Sequence, residues 1–208
     1  MKIALCILLG YLLGSVSPAA LISKLKKVDL RKEGTGNLGA TNTLMVIGKL
    51  YGIFVMVFDI TKAVLAVKLA ALAFPGIICA PLIAGASTVI GHMFPFYMKF
   101  KGGKGLASYG GMVLAFDPLI FIMLLVLCLV IMVIINYGVA LTLSAACIFP
   151  ILTGLRHKDL SLTLISTAIS LLLIIKHIPV IRRVARGEDI KARVFMKKFL
   201  FSKRKNEE

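Results

Sequence analysis

The chain has 208 residues, 59% of them hydrophobic, and a mean hydropathy of +0.97, which excludes an ordinary soluble enzyme and predicts a single integral membrane domain over 1–208. Its formal charge of +16 would suit nucleic acid, but tryptophan is absent and the basic residues do not interleave with aromatics on a polar face, so no nucleic-acid partner is expected and the surroundings are membrane lipids. Cys6, Cys79, Cys128 and Cys147 are scattered through apolar runs without C-x-x-C spacing or a His or acidic cluster, which predicts core or lipid-facing thiols and no metal site.

The first apolar segment, 3–22, is about 20 residues long, beyond the roughly 7–15 of a signal-peptide core, and only Lys2 precedes it. It reads as a retained first helix. Further apolar segments run approximately over 50–73, 77–91, 106–116, 118–135, 138–153 and 160–176. Several fall short of the ~20 residues that cross a bilayer unaided, so some helices should be tilted, re-entrant or partial. One kinked helix across Asp117-Pro118 gives six spans and a turn there gives seven. Charge arbitrates: stretches 23–49, 92–104 and 176–208 hold 6, 3 and 11 Lys/Arg, and placing all three in the cytoplasm requires an odd number of spans. The expected fold is therefore an all-α, multi-pass membrane bundle of about seven helices, N-terminus out. Its basic cytoplasmic tail, from about 182 to 208, includes Phe195, Phe199, Leu200 and Phe201. That tail suits either a basic helix on anionic headgroups or a solvated topology anchor.

Two polar, glycine-rich segments interrupt the apolar chain: Gly34-Thr-Gly-Asn-Leu-Gly-Ala-Thr-Asn42 and Lys101-Gly-Gly-Lys-Gly105. Such backbone survives near a membrane only when buried in protein or lining a watery cavity, and successive N–H donors beside lysine attract anions. The first formally matches G-x-G-x-x-G, yet it follows a membrane helix and a charged run rather than a strand, so a dinucleotide fold is not the reading. Its glycines allow close backbone approach, and Thr41 and Asn42 are placed to cap a helix starting near Leu44. In the second, Lys104 is the candidate phosphate ligand. His92, just upstream, either orients a substrate or bonds to backbone, and His177 serves as base, donor or interfacial residue. Asp59 and Lys62, three apart in an apolar stretch, share a helical face as a functional pair or a structural lock.

No histidine has aspartate at the fifth position after it, where Tyr97, Leu162 and Arg182 stand, and there is no G-x-S-x-G elbow. Covalent catalysis therefore lacks its usual residues. With these gaps, the segments GTGNLGATN, GHMFPF with FKGGKG, and His177 to Asp189 resemble the three cytoplasmic motifs of the bacterial acyl-phosphate:glycerol-3-phosphate acyltransferase family. The resemblance covers the whole chain. It implies acyl transfer from a fatty acyl-phosphate to the 1-hydroxyl of glycerol 3-phosphate, giving lysophosphatidic acid and phosphate for phospholipid synthesis, without metal, cofactor or acyl carrier, at a bacterial plasma membrane.

Carried over, Thr35, Gly36, Asn37, Gly39, Thr41, Asn42, Gly102 and Gly103 would cradle phosphate, Lys104 would hold the acceptor phosphate, and His177 with Thr142 would meet the glycerol hydroxyls. Thr142 stands where the family often has serine. The chain departs at Thr35 for serine, at Met45 for an arginine expected to clamp the acceptor phosphate, and at Ile178 and Val180 for arginine and asparagine. The expected Gly-Thr-Glu reads Gly187-Glu188-Asp189. These departures leave room for a divergent paralogue with another acceptor or no activity, and the same anion sites would serve a phosphate or organic-anion carrier.

Overall fold

The computed structural model describes residues 1–200, so the end of the tail, including Phe201, lies outside the described residues, as do the side chains of Phe199 and Leu200. Among the described residues every regular element is helical. The first apolar segment is two helices, α1 (Lys2–Ser15) and α2 (Pro18–Leu25). The single helix expected over 3–22 is broken because Pro18 removes a backbone donor and Ser17 caps the new start, its Oγ accepting from Ala20 N at 3.3 Å. After a loop come α3 (Ala40–Val46), α4 (Lys49–Ala73) and α5 (Ala80–Met93). The chain continues through α6 (Leu106–Phe116), α7 (Pro118–Ile135), α8 (Gly138–His157), α9 (Leu160–Ala185) and the short α10 (Ala192–Phe195).

Asp117-Pro118 is a break between two helices, with Asp117 extended and its carboxylate accepting from Leu119 N and Ile120 N. Among the described residues five stretches are long and apolar enough to span a membrane: Lys2–Leu25, Lys49–Ala73, Pro118–Ile135, Gly138–His157 and Leu160–Ala185. The other two apolar segments form α5 and α6, whose 14 and 11 residues reach only roughly 21 and 16 Å against a ~30 Å hydrocarbon core. α5 and α6 are thus the short members that the apolar lengths led one to expect among about seven helices, beside five that are long enough to cross unaided. α5 is sheltered by protein instead, with eleven residues from Ala80 to Met93 buried.

Glycines bring the helices close, since lipid tails supply no hydrophobic drive and association rests on packing. Gly10 and Gly14 of α1 lie against the Ala84 and Thr88 carbonyls of α5, and Gly91 returns the contact against Tyr11 and Ser15. Gly111 of α6 packs on the Ile60 backbone of α4 in the same way. The largest core cluster joins α4 to α9 around Tyr109, Phe149, Met93, Leu162 and Leu173. Outside, α7 shows Ile122, Val126, Val130 and Ile134 to lipid.

The three basic stretches meet at one end of the bundle. Tyr97 OH donates to Ser15 O at 2.7 Å, Arg31 Nη2 to Lys101 O at 2.9 Å and Lys176 Nζ to Met93 O at 3.3 Å. The tail is stitched there too, Ala192 N reaching Asn136 O at 2.8 Å. At the opposite end Asp117 receives Arg156 Nε at 2.6 Å and lies 3.0 Å from His157 Nε2. All four cysteines are free, Cys6 and Cys128 buried, Cys79 half-buried and Cys147 exposed.

Candidate active site

The first glycine-rich loop is held from its far end. α3 begins at Ala40 with Gly39 as its N-cap and no side-chain cap, so Thr41 and Asn42 lie inside the helix rather than capping one near Leu44. Thr41 is exposed, while Asn42 is fully buried. The Asn42 amide donates to Leu30 O at 2.8 Å and Glu33 O at 3.1 Å, and its Oδ1 accepts from Thr35 N at 2.7 Å. Those bonds occupy the side chain that was expected to cradle phosphate, and they clamp residues 30–35 onto α3. Gly36 turns the loop at φ +68°, a conformation that strains any side chain. Asn37 is half-buried with no hydrogen bond to its side chain among the described residues, and Gly39 is buried behind it.

In the second loop two of the backbone donors are already engaged. Gly102 N donates to Met93 O and Gly103 N to His92 O, both at 3.1 Å, so these donors finish α5 instead of pointing at a ligand. The backbone N–H groups without an acceptor among the described residues belong to Lys104, Gly105 and the first turn of α6. Gly105, at φ +90°, is the N-cap that aims them, and the positive end of the α6 dipole lies there. Gly105 was missed from sequence because its φ, and not its residue type alone, makes the nest.

Lys104 is half-buried in that position. Burial pushes its ammonium down to about 8, and Arg183 pushes it the same way against the pull of Asp189. Arg183 and Asp189 are themselves paired at 3.4 Å. A desolvated cation beside a second cation is a strained arrangement that an arriving phosphate would relieve.

α9 runs past the expected end at 176 through Pro179 to Ala185, so His177 sits mid-helix and is buried. Its Nδ1 lies 2.9 Å from Leu173 O. Since a carbonyl only accepts, Nδ1 carries the hydrogen and neutral Nε2 is an acceptor. Lys104 acts electrostatically on this imidazole. Thr142, buried in α8 next to α9, has a hydroxyl with no partner among the described residues. Met45 is half-buried on α3, Ile178 exposed and Val180 buried.

The Asp59–Lys62 pair expected from i, i+3 spacing forms at 2.7 Å, and His92 joins it, Nδ1 standing 3.2 Å from Asp59 Oδ1 and 3.1 Å from Lys62 Nζ. Lys62 also donates to Gly14 O and Val16 O, each at 2.9 Å. The convergence of three helices on His92 carried no local sequence signal. Among the described residues no three His, Cys, Asp or Glu side chains gather as a metal cage.

With this geometry in place, known proteins give a consistent comparison. The sequence profile of the glycerol-3-phosphate acyltransferase family matches residues 4–187. Glycerol-3-phosphate acyltransferases of Macrococcus caseolyticus and Bacillus subtilis are 38% and 35% identical, over 92% and 93% of this chain and 97% and 99% of theirs. Crystal structures of PlsY (YgiH), an integral membrane glycerol 3-phosphate acyltransferase, superpose with TM-scores of 0.85 for its glycerol 3-phosphate form and 0.84 for its lysophosphatidic acid form. They share 30% and 28% identity, covering 92% and 95% of this chain and 96% and 100% of the PlsY chains. Profile, relatives and fold agree: the chain belongs to the glycerol-3-phosphate acyltransferase family of integral membrane enzymes.

Proposed function

We propose that this enzyme transfers an acyl group from a fatty acyl-phosphate to the 1-hydroxyl of glycerol 3-phosphate, releasing lysophosphatidic acid and inorganic phosphate at the cytoplasmic face of a bacterial plasma membrane. The observation that carries the reading is Lys104 at the mouth of the free N–H nest of α6, half-buried and beside Arg183. That constellation is built for a phosphate dianion. Two phosphate-bearing substrates match two glycine-rich loops tied together by Arg31 and Lys101.

An acyl-phosphate is an activated mixed anhydride, so alignment and charge stabilisation suffice without a covalent intermediate. Lys104 and the α6 N-terminus hold the acceptor phosphate, and Arg183 stands in for the arginine that Met45 replaces. The His177 Nε2 acceptor and the Thr142 hydroxyl orient the glycerol. Gly36, Asn37 and Gly39 line the donor phosphate, with Asn42 and Thr35 fixing that loop. The positive-inside bias of the basic end supports the cytoplasmic placement.

The test is lipid mass spectrometry on purified protein given palmitoyl-phosphate and glycerol 3-phosphate. Lysophosphatidic acid should form with both substrates and not when palmitoyl-CoA replaces the acyl-phosphate. Product from the thioester alone would overturn the donor assignment.

A further inference from the structure

A basic hollow of about 660 Å³ opens at the same end of the bundle as the candidate site, within the roughly 300–1,000 Å³ of small-molecule clefts. Its walls are the end of α2 with the turn that follows and the segment 97–101, and Lys104, Thr142, His177 and Arg183 do not line it. Five cations do: Lys24, Lys27, Arg31, Lys99 and Lys101. Asp29, the one carboxylate in the lining, accepts from Arg31 N at 3.0 Å and stands 4.0 Å from Lys32 Nζ. None of the five cations has an ion pair among the described residues. The walls are held from behind: Ser23 Oγ donates to Val28 O and accepts from Leu30 N at 3.4 Å, Tyr97 OH donates to Ser15 O, and Arg31 Nη2 ties to Lys101 O. Lys27 and Lys99 both have left-handed backbone, φ +54° each, a conformation that lysine keeps only where its surroundings impose it. Like charges around one hollow repel, and an anion seated among them relieves that repulsion.

The surroundings select the anion. Leu21 and Leu25 on the adjoining face of α2, and Phe96 and Phe100 beside the other wall, are exposed, so apolar surface flanks the cations at the basic end, where lipid headgroups lie. A soluble anion uses only the charges, whereas a phospholipid uses both surfaces. We propose that this hollow binds the phosphate headgroup of an anionic phospholipid, with the acyl chains against the flanking apolar side chains. Leu38 of the first glycine-rich loop and Lys101 of the second both line it, so a headgroup seated there braces the two loops against each other. Any gain in turnover from this bracing rests on the reaction proposed above; lipid binding and thermal stability do not.

The test is thermal melting of the purified protein in nanodiscs of phosphatidylcholine with increasing phosphatidylglycerol. The midpoint should rise with the anionic lipid. Combining Lys24→Gln, Lys27→Asn and Lys99→Asn should abolish that rise, since each lysine near an anionic surface is worth about fivefold in binding; asparagine is chosen at 27 and 99 because it tolerates left-handed backbone. Combining Arg186→Gln, Lys191→Gln and Arg193→Gln removes the same charge from exposed positions outside the hollow and should leave the rise in place. Lys27→Asn alone is the second variant should the first combination melt early in neutral discs, and it should need about fivefold more phosphatidylglycerol for the same shift. No rise with phosphatidylglycerol, or an equal loss in both combinations, overturns the proposal. So does inorganic phosphate reproducing the rise in neutral discs, which would assign the hollow to a free anion.

Discussion

Lys104 gives the sharpest quantitative expectation. With its ammonium pushed down to about 8, it is roughly nine-tenths charged at pH 7 and one-tenth charged at pH 9. A phosphate dianion binds the charged form, so the KM for glycerol 3-phosphate should rise about tenfold between pH 7 and pH 9. In Lys104→Arg the charge persists at both pH values, and KM should be nearly flat, whatever its absolute level. The sign for stability is opposite to that of a lysine gaining a partner. A folded-state value below the ordinary 10.5 means that the charged form costs the empty enzyme stability, a cost present below about pH 8 and gone above about 10.5. Removing the charge with Lys104→Met should therefore stabilise the ligand-free protein at pH 7, by on the order of 1–3 kcal/mol, while abolishing acceptor binding. Initial rates in detergent at pH 7, 8 and 9 and thermal melts of the two variants supply the measurements. A KM that does not move with pH, or that moves equally in Lys104→Arg, refutes the assignment of Lys104 to the acceptor phosphate.

Asn42→Ala strips three hydrogen bonds from a buried junction, and unpartnered carbonyls cost about 1–3 kcal/mol; the thermal midpoint should fall and the KM for acyl-phosphate rise, read by melts and initial rates. Arg183→Gln removes the cation beside Lys104 and should raise the KM for glycerol 3-phosphate about tenfold or more, as expected for a lost charged hydrogen bond. Adding Met45→Arg to that variant should recover acceptor affinity. At the far end, burial raises the Asp117 carboxyl, but the Arg156 bond and the Ile120 and Leu119 N–H groups outweigh it and hold it below its usual value. Its stabilisation is thus present above the ordinary carboxylate range and lost on acidification. Asp117→Ala should cost about 1–2 kcal/mol through the lost cap and ion pair, measured as a melt at pH 7, with kcat unchanged because the cluster lies away from the site.

The helical segments and the two polar loops were legible because apolar length and glycine-rich polarity are local properties. So was the Asp59–Lys62 pair, since i, i+3 spacing alone places both on one face. The partners of those residues were not legible. Gly102 and Gly103 look like anion donors in isolation, and only the C-terminal geometry of α5 reveals that their N–H groups are spent on Met93 and His92. Asn42 reads as a cap by residue type, yet helix α3 starts two residues earlier and turns its amide back into the loop. That α5 is short was legible in the length of its apolar run, but what shelters it was not: glycine contacts with α1 and packing in the core cluster cover the 14-residue helix. His92 required three helices in their final register before its ring met Asp59 and Lys62.

Direct transfer between two phosphate-bearing substrates, without an acyl-enzyme, can be followed as phosphate release from palmitoyl-phosphate at enzyme concentrations high enough to see one turnover. No release is expected until glycerol 3-phosphate is added, and then phosphate and lysophosphatidic acid in equal amounts. A stoichiometric burst of phosphate before the acceptor arrives would contradict it.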